Sequence, residues 1–141
     1  MILLDTNVLS ALMRTVPDAT VVAWLDRQPR VSVWTTAVTV LEIRHGLALL
    51  PAGRRREALA SGFARLVDTL LDRRVAPFDA AAAERAAELL AARARGGRPA
   101  ELRDTMIAGI AEACRATIAT GNMRYFGDLT VPVVDPWAAG G

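Results

Sequence analysis

Met1-Ile2-Leu3-Leu4-Asp5-Thr6-Asn7-Val8-Leu9-Ser10-Ala11 is an apolar run that ends abruptly in an acid and two small polar residues. An apolar run this short, uncharged on either face, predicts a strand buried on both sides at the centre of a parallel sheet. In open α/β sheets ligands bind outside the carboxyl ends of the strands, and Asp5 is the residue this chain delivers there. The competing reading is that Asp5 or Asn7 only caps a helix beginning near Val8, a common task for Asp-Thr-Asn. Whether other acids reach the same sheet edge decides between them.

Working outward, strand and helix patterns alternate along the chain. A short helix is expected over 8–13. A second follows Pro17, capped by Asp18, with Val21, Val22, Trp24 and Leu25 as its apolar stripe. A strand over 31–34 precedes a helix over 37–50 that Pro51 and Gly53 close, and another helix runs from Arg54 to about Asp72. After a short strand at 75–78, Asp79 caps an Ala-rich helix over 80–94, whose Glu84, Arg85, Glu88, Arg93 and Arg95 read as an exposed face. A helix carrying Asp104, a strand over 116–120, a turn at Gly121-Asn122 and an edge strand over 131–134 complete the chain. The expected fold is α/β: a three-layer domain with a central, mostly parallel sheet of four to five strands flanked by helices, with residues 1–141 as one domain.

Composition narrows the chemistry. With 52% hydrophobic residues the chain is apolar, yet no uninterrupted stretch approaches the roughly 20 residues of a membrane span. Asp5 also breaks the first apolar run too early for a signal peptide, so a cytoplasmic protein without membrane attachment is expected. The one cysteine, Cys114, excludes an internal disulfide and a cysteine-rich zinc site, and its Ala/Ile-rich surroundings predict a small buried filler. All 17 basic residues are Arg. Absence of Lys rules out a Walker-type phosphate loop and Schiff-base chemistry, which need an amine. It also rules out a haloacid-dehalogenase-like phosphatase, which begins with strand-Asp but requires a second Asp two residues on, where Asn7 stands, and a later Lys.

Two further acids stand in apolar sequence. Glu42 lies inside the 37–50 helix and shares a face with Val38, Gly46 and Leu49, unless the helix starts late and Thr39-x-x-Glu42 is a capping box. Asp104 has Ile107 and Ala108 as its helical neighbours, whereas Glu101 is explained by the helix dipole alone. His45 could touch Glu42 but reads as a surface residue, and Arg54-Arg55-Arg56 as a solvated helix end. If Asp5, Glu42 and Asp104 converge, their mutual repulsion calls for a cation. Oxygen-only ligation suits Mg²⁺ or Mn²⁺ rather than zinc, and such a site supports phosphodiester hydrolysis.

Taken together, Asp5-Thr6-Asn7-Val8-Leu9-Ser10, the Leu41-Glu42-Ile43-x-x-Gly46 segment ending in Leu50-Pro51, Asp104-x-x-Ile107-Ala108-Gly109-Ile110-Ala111, Ala119-Thr120-x-Asn122 and Pro132-Val133-Val134-Asp135-Pro136-Trp137 resemble PIN-domain ribonuclease toxins of the VapC type, near the FitB branch. The resemblance runs through the chain in the family's order. It implies a toxin of a type II toxin-antitoxin system, a Mg²⁺- or Mn²⁺-dependent endoribonuclease. It also implies a homodimer, held in check by a small antitoxin that binds operator DNA. Its catalytic and metal-binding acids fall on Asp5, Glu42 and Asp104, with Thr6, Asn7, Thr120 and Asn122 as supporting polar residues.

One stretch departs from the family pattern. Where the family reads Asn-x-x-Asp-Phe, often with its Asp as a fourth acid, this chain has Asn122-Met123-Arg124-Tyr125-Phe126. A phenol ionises only near pH 10 and does not replace a carboxylate. Asn122 and Asp128 are the residues left to compensate. The departure motivates a second reading, a PIN-fold module that binds RNA and antitoxin with weak or no catalysis.

Overall fold

The computed structural model describes residues 1–138; residues 139–141, the end of the single domain expected from the sequence, lie outside them. Strands β1 (Ile2–Leu4), β2 (Val33–Thr36), β3 (Val75–Ala76), β4 (Thr117–Ala119) and β5 (Val133–Val134) form one sheet of order β3-β2-β1-β4-β5. Every pairing is parallel. β1 takes the centre, with Ile2 opposite Val33 on one side and Leu3 opposite Ile118 on the other. The chain steps outward from β1 to β3, then returns to β4 on the far side of β1. The crevice at the carboxyl ends of β1 and β4 is thus the point where strand order reverses, the place such sheets use for binding.

The helices are α1 (Thr6–Met13), α2 (Ala19–Asp26), α3 (Ala37–Leu49), α4 (Arg54–Asp68), α5 (Ala80–Arg95) and α6 (Leu102–Cys114). Successive strand side chains point to opposite faces, so β1 feeds two cores. Leu4, Val33 and Ala119 pack with Val8, Val21, Trp24, Ile43 and Phe63 of α1 to α4. Leu3, Ala76 and Ile118 pack with Ala82 of α5 and Ile107, Ile110 and Ala111 of α6. This is the three-layer arrangement expected from the alternation. Leu3, Leu4 and Ile118 are fully buried, each stabilising the fold by about 1.5–3 kcal/mol. α5 and α6 approach closely because residue 109 is glycine: a Cβ there would stand 2.5 Å from the Ala82 carbonyl and 2.9 Å from the Ala86 Cβ.

Several boundaries differ from the sequence reading, each for a tertiary reason. β2 is displaced toward Thr35 and Thr36, because Arg30–Ser32 coils into a 3-10 turn and Thr35 Oγ1 donates to the Leu4 carbonyl at 2.8 Å. α4 stops at Asp68, where Asp72 and Arg73 take left-handed backbone angles (φ 45° and 58°) to bring the chain back into the sheet as β3. β5 keeps only the residues that pair with β4. α3 begins at Ala37 with Thr36 as its cap, accepting the Thr39 N–H at 3.0 Å, so Thr39-x-x-Glu42 is not a capping box.

Candidate active site

Asp5 is the first residue past β1, and its N–H still donates to the Ala119 carbonyl at 3.0 Å, which holds the backbone in the β1–β4 ladder. Its Oδ1 accepts the Thr6 N–H at 2.8 Å and makes Asp5 the N-cap of α1. Its Oδ2 accepts the Thr120 hydroxyl at 2.8 Å and the Asn7 amide at 3.2 Å. Capping and site-building are therefore done by the same carboxylate, one oxygen each. Asn7 ties the two strand ends together, since its Oδ1 also accepts the Gly121 N–H at 2.9 Å. The fit there is tight: a Cβ on residue 121 would meet the Trp137 ring at 3.0 Å, and the ring would have to give by a few tenths of an ångström.

Glu42 reaches the crevice from the second turn of α3, half-buried, and its Oε1 accepts the Thr6 hydroxyl at 3.0 Å. Its expected apolar face is buried only at Val38; Gly46 and Leu49 are exposed, because beyond Glu42 the helix turns Ile43 and Leu47 inward instead. Asp104 arrives from the first turn of α6, with its N–H on the Glu101 carboxylate at 2.9 Å. Thr6 thus bridges Asp5 to Glu42.

The electrostatics record how near these acids are. Burial raises the Asp5 carboxyl pKa against the lowering effect of its three hydrogen bonds. Burial also raises Glu42, and the charges of Asp5 and Glu101 add to the rise. Asp104 is pushed up to about 6, by burial first and then by Asp5, Glu101 and Glu42, with Arg93 opposing. Asp104 feels both other acids and Glu42 feels Asp5, yet among the described residues no three His, Cys, Asp or Glu side chains are close enough to hold one ion together. That spacing and an all-oxygen donor set fit a cation such as Mg²⁺, which keeps several waters and takes only one or two carboxylates directly.

Glu101 is a helix-start acid as expected, the N-cap of α6, and its carboxylate beside the Asp104 backbone also adds its charge to the cluster. Asn122 sits on the other flank. Its N–H donates to Thr120 Oγ1 at 3.0 Å, and it lines a cavity of about 300 Å³ with Asn7, Gly121, Asp135 and Trp137. Tyr125 faces a different cavity, of about 360 Å³, that Asp104, Glu101, Arg93, Arg98 and Arg124 also line.

Three expectations change. Arg93 is not on an exposed face of α5 but 4% exposed: its guanidinium donates to both Asp128 oxygens at 2.9 Å, to Thr105 Oγ1 at 2.9 Å and to the Tyr125 carbonyl at 2.8 Å. The signal was present in sequence, for Ala82, Ala86, Leu89 and Arg93 recur at helical spacing as the face α5 turns inward. Asp128, engaged by Arg93 and Arg98, is committed to that ion pair and does not supply a fourth acid. Cys114 is exposed, because it ends α6 beside Asp79, where α5 has only begun to cover it. His45 is exposed as expected.

The family model described as PIN domain matches residues 2–129. The chain belongs to the PIN-domain family. Within it, this PIN domain is 37% identical to a VapC ribonuclease of Sinorhizobium fredii, over 97% of this chain and 98% of that protein. It is 36% identical to toxin FitB of Neisseria gonorrhoeae, over 97% of this chain and 99% of that protein. Against the solved structure of FitAB bound to a DNA fragment the TM-score is 0.87 at 36% identity, covering 97% of this chain and 96% of that one. The motif resemblance therefore holds in sequence and in three dimensions. No helix among the described residues is long and apolar enough to cross a membrane.

Proposed function

We propose that this PIN domain, residues 1–141, is the toxin of a type II toxin-antitoxin pair and acts in the cytoplasm as an endoribonuclease. The observation that carries the reading is the crevice at the switch between β1 and β4, where Asp5, Glu42 and Asp104 come within electrostatic reach of one another. Relatives named as a ribonuclease and a toxin, and a neighbour solved on DNA, support an RNA substrate and an antitoxin that binds operator DNA. The homodimer is carried over from the motif resemblance alone.

Of Asp5, Glu42 and Asp104, one or two would hold Mg²⁺ or Mn²⁺ directly and the rest through its waters. When bound, such a cation activates a water and neutralises charge on the phosphodiester during hydrolysis. The protein's own part is positional. Thr120 and Asn7 fix the Asp5 carboxylate, and Thr6 fixes that of Glu42, so both are aimed before substrate arrives. The Asp104 carboxyl, raised to about 6 by burial and its acidic neighbours, would be held ionised by such a cation and so serve as a ligand to it or to one of its waters.

The second reading keeps a footing because the loop after β4 offers no carboxylate: Tyr125 replaces one and Asp128 is paired with Arg93. A PIN module that binds RNA and antitoxin with weak catalysis follows from that. One experiment separates the two. Purified protein is titrated with Mg²⁺ and Mn²⁺ on total RNA, beside Asp5→Ala and Asp104→Ala, with growth after induction followed in parallel. The nuclease reading expects cleavage that falls at least about a hundredfold in either variant, and growth arrest by wild type only. Equal growth and equal cleavage in all three would leave the binding module.

A further inference from the structure

Beside the acidic crevice lies a cavity of different chemistry. Its walls are Arg93, Arg98, Pro99, Glu101, Asp104, Arg124 and Tyr125, and its volume of about 360 Å³ lies in the range of small-ligand sites. Arg93 and Arg98 share one carboxylate, Asp128, at 2.9 and 3.4 Å, and Arg124 makes no ion pair among those described but lies over the Tyr125 ring at 5.3 Å. Arg93 is spent on Asp128, Thr105 and the Tyr125 carbonyl, so Arg98 and Arg124 bring the positive charge to one wall of the cavity, while Glu101 and Asp104 line the other. Tyr125 is 40% exposed although aromatic, and the Arg93 bond to its carbonyl holds its backbone in place.

An exposed aromatic ring beside an arginine with no described ion pair, as Tyr125 stands beside Arg124, is how proteins hold single-stranded nucleic acid: bases stack on the ring and phosphates meet the guanidinium groups. An acidic peptide would meet the same arginines but bring its carboxylates against Glu101 and Asp104. A nucleotide brings a neutral base with its phosphate, so both walls are satisfied. We propose that this cavity is a subsite for one nucleotide of single-stranded RNA flanking the scissile phosphate, with Tyr125 stacking the base and Arg124 and Arg98 receiving the phosphate. The inference rests on the RNA-directed reading of the acidic crevice but not on catalysis there. It gives the Tyr in the family's acid position a task of its own: this chain exchanges a carboxylate for a grip on substrate.

Binding without metal isolates the subsite. A short fluorescein-labelled single-stranded RNA, and a matched oligomer abasic at every position, are titrated with the full chain in EDTA and followed by anisotropy. Tyr125→Ala is expected to lose roughly ten- to hundredfold in affinity for the RNA and to bind the abasic strand as wild type does, while Tyr125→Phe keeps both. Arg124→Ala is expected to weaken both strands and to flatten the log-affinity against log-salt slope by about 0.7. Unchanged RNA binding in Tyr125→Ala and Arg124→Ala, both at exposed positions, overturns the proposal. So does an Arg124→Ala variant whose salt slope matches wild type. Loss of antitoxin binding with RNA binding intact would assign the cavity to the protein partner and overturn it equally. If wild type binds RNA with the expected pattern but cleaves none in Mg²⁺ or Mn²⁺, the nuclease reading fails while the subsite stands.

Discussion

At the scale of single residues, Asp104 joins site chemistry to stability. Its carboxyl is held near 6, above the value of about 3.9 expected in the unfolded chain, so the folded state grips this proton more tightly. The associated stability is fully present below the unfolded value and is lost as pH rises through 6. At neutral pH the metal-free protein therefore carries an ionised carboxylate that its surroundings resist. Asp104→Asn should melt higher than wild type above neutral pH and no higher near pH 4, by calorimetry in EDTA. Wild type should in turn gain several degrees in millimolar Mn²⁺, since a ligand at a hundred times its Kd stabilises by about 2.7 kcal/mol, and Asp104→Asn should gain little. A variant that melts as wild type does at every pH would place the Asp104 proton outside the cluster.

At the scale of elements, the α5–α6 contact positions half of the site, because α6 carries Asp104 and Glu101 while α5 carries Arg93. Gly109 sets their separation. Gly109→Ala drives a methyl into the Ala82 carbonyl and the Ala86 side chain, and should cost about 1–3 kcal/mol in urea unfolding, the usual range for an overpacked contact. Gly62, inside α4, has nothing within 4 Å of the corresponding point. Gly62→Ala should therefore stabilise by about 0.5–1 kcal/mol, through the entropy that glycine loses in a helix. Opposite signs from one chemical change would locate the close approach at α5–α6; a neutral Gly109→Ala would mean the helices slide apart freely.

At the scale of the whole molecule, the large apolar residues left exposed do not cluster on α2 and α4, the helices after Pro17 and Gly53. Those helices are spent on the core beneath α1 and β1. Val16, Val31, Leu102 and, on α3, Leu41 and Leu49 are the most exposed, with Met1, Met123 and Tyr125 less so. Exposed apolar surface of this kind marks interfaces. Light scattering of the purified chain without antitoxin should give a mass near twice that of one protomer, and Leu49→Glu, 72% exposed and outside the core, is the substitution to test for a shift toward monomer. A monodisperse wild-type monomer would remove the homodimer from the proposal.

How much was legible in the sequence follows from the range of each interaction. Met1 to Ala11 specified the central strand and the acid at its end, because burial on both faces demands an uncharged run and Asp5 terminates it within one residue. Asp18, Asp79 and the glycine and proline breaks likewise specified helix starts and ends, since caps act on backbone groups two or three residues away. What lay beyond local rules was decided by packing. The left-handed turn at Asp72 and Arg73 exists to return the chain to the sheet, and nothing in 68–73 alone requires it. Arg93 read as a surface charge because its counter-charge, Asp128, lies 35 residues away and meets it only when the loop after β4 folds over α5. Burying that guanidinium is tolerable solely with such a partner, so its environment was decided by tertiary structure. The acids follow the same division: their embedding in apolar sequence singled out Asp5, Glu42 and Asp104, but their nearness, and the company of Glu101, arises from a strand order that sets β4 beside β1 across 115 residues of chain, the separation of Asp5 and Thr120.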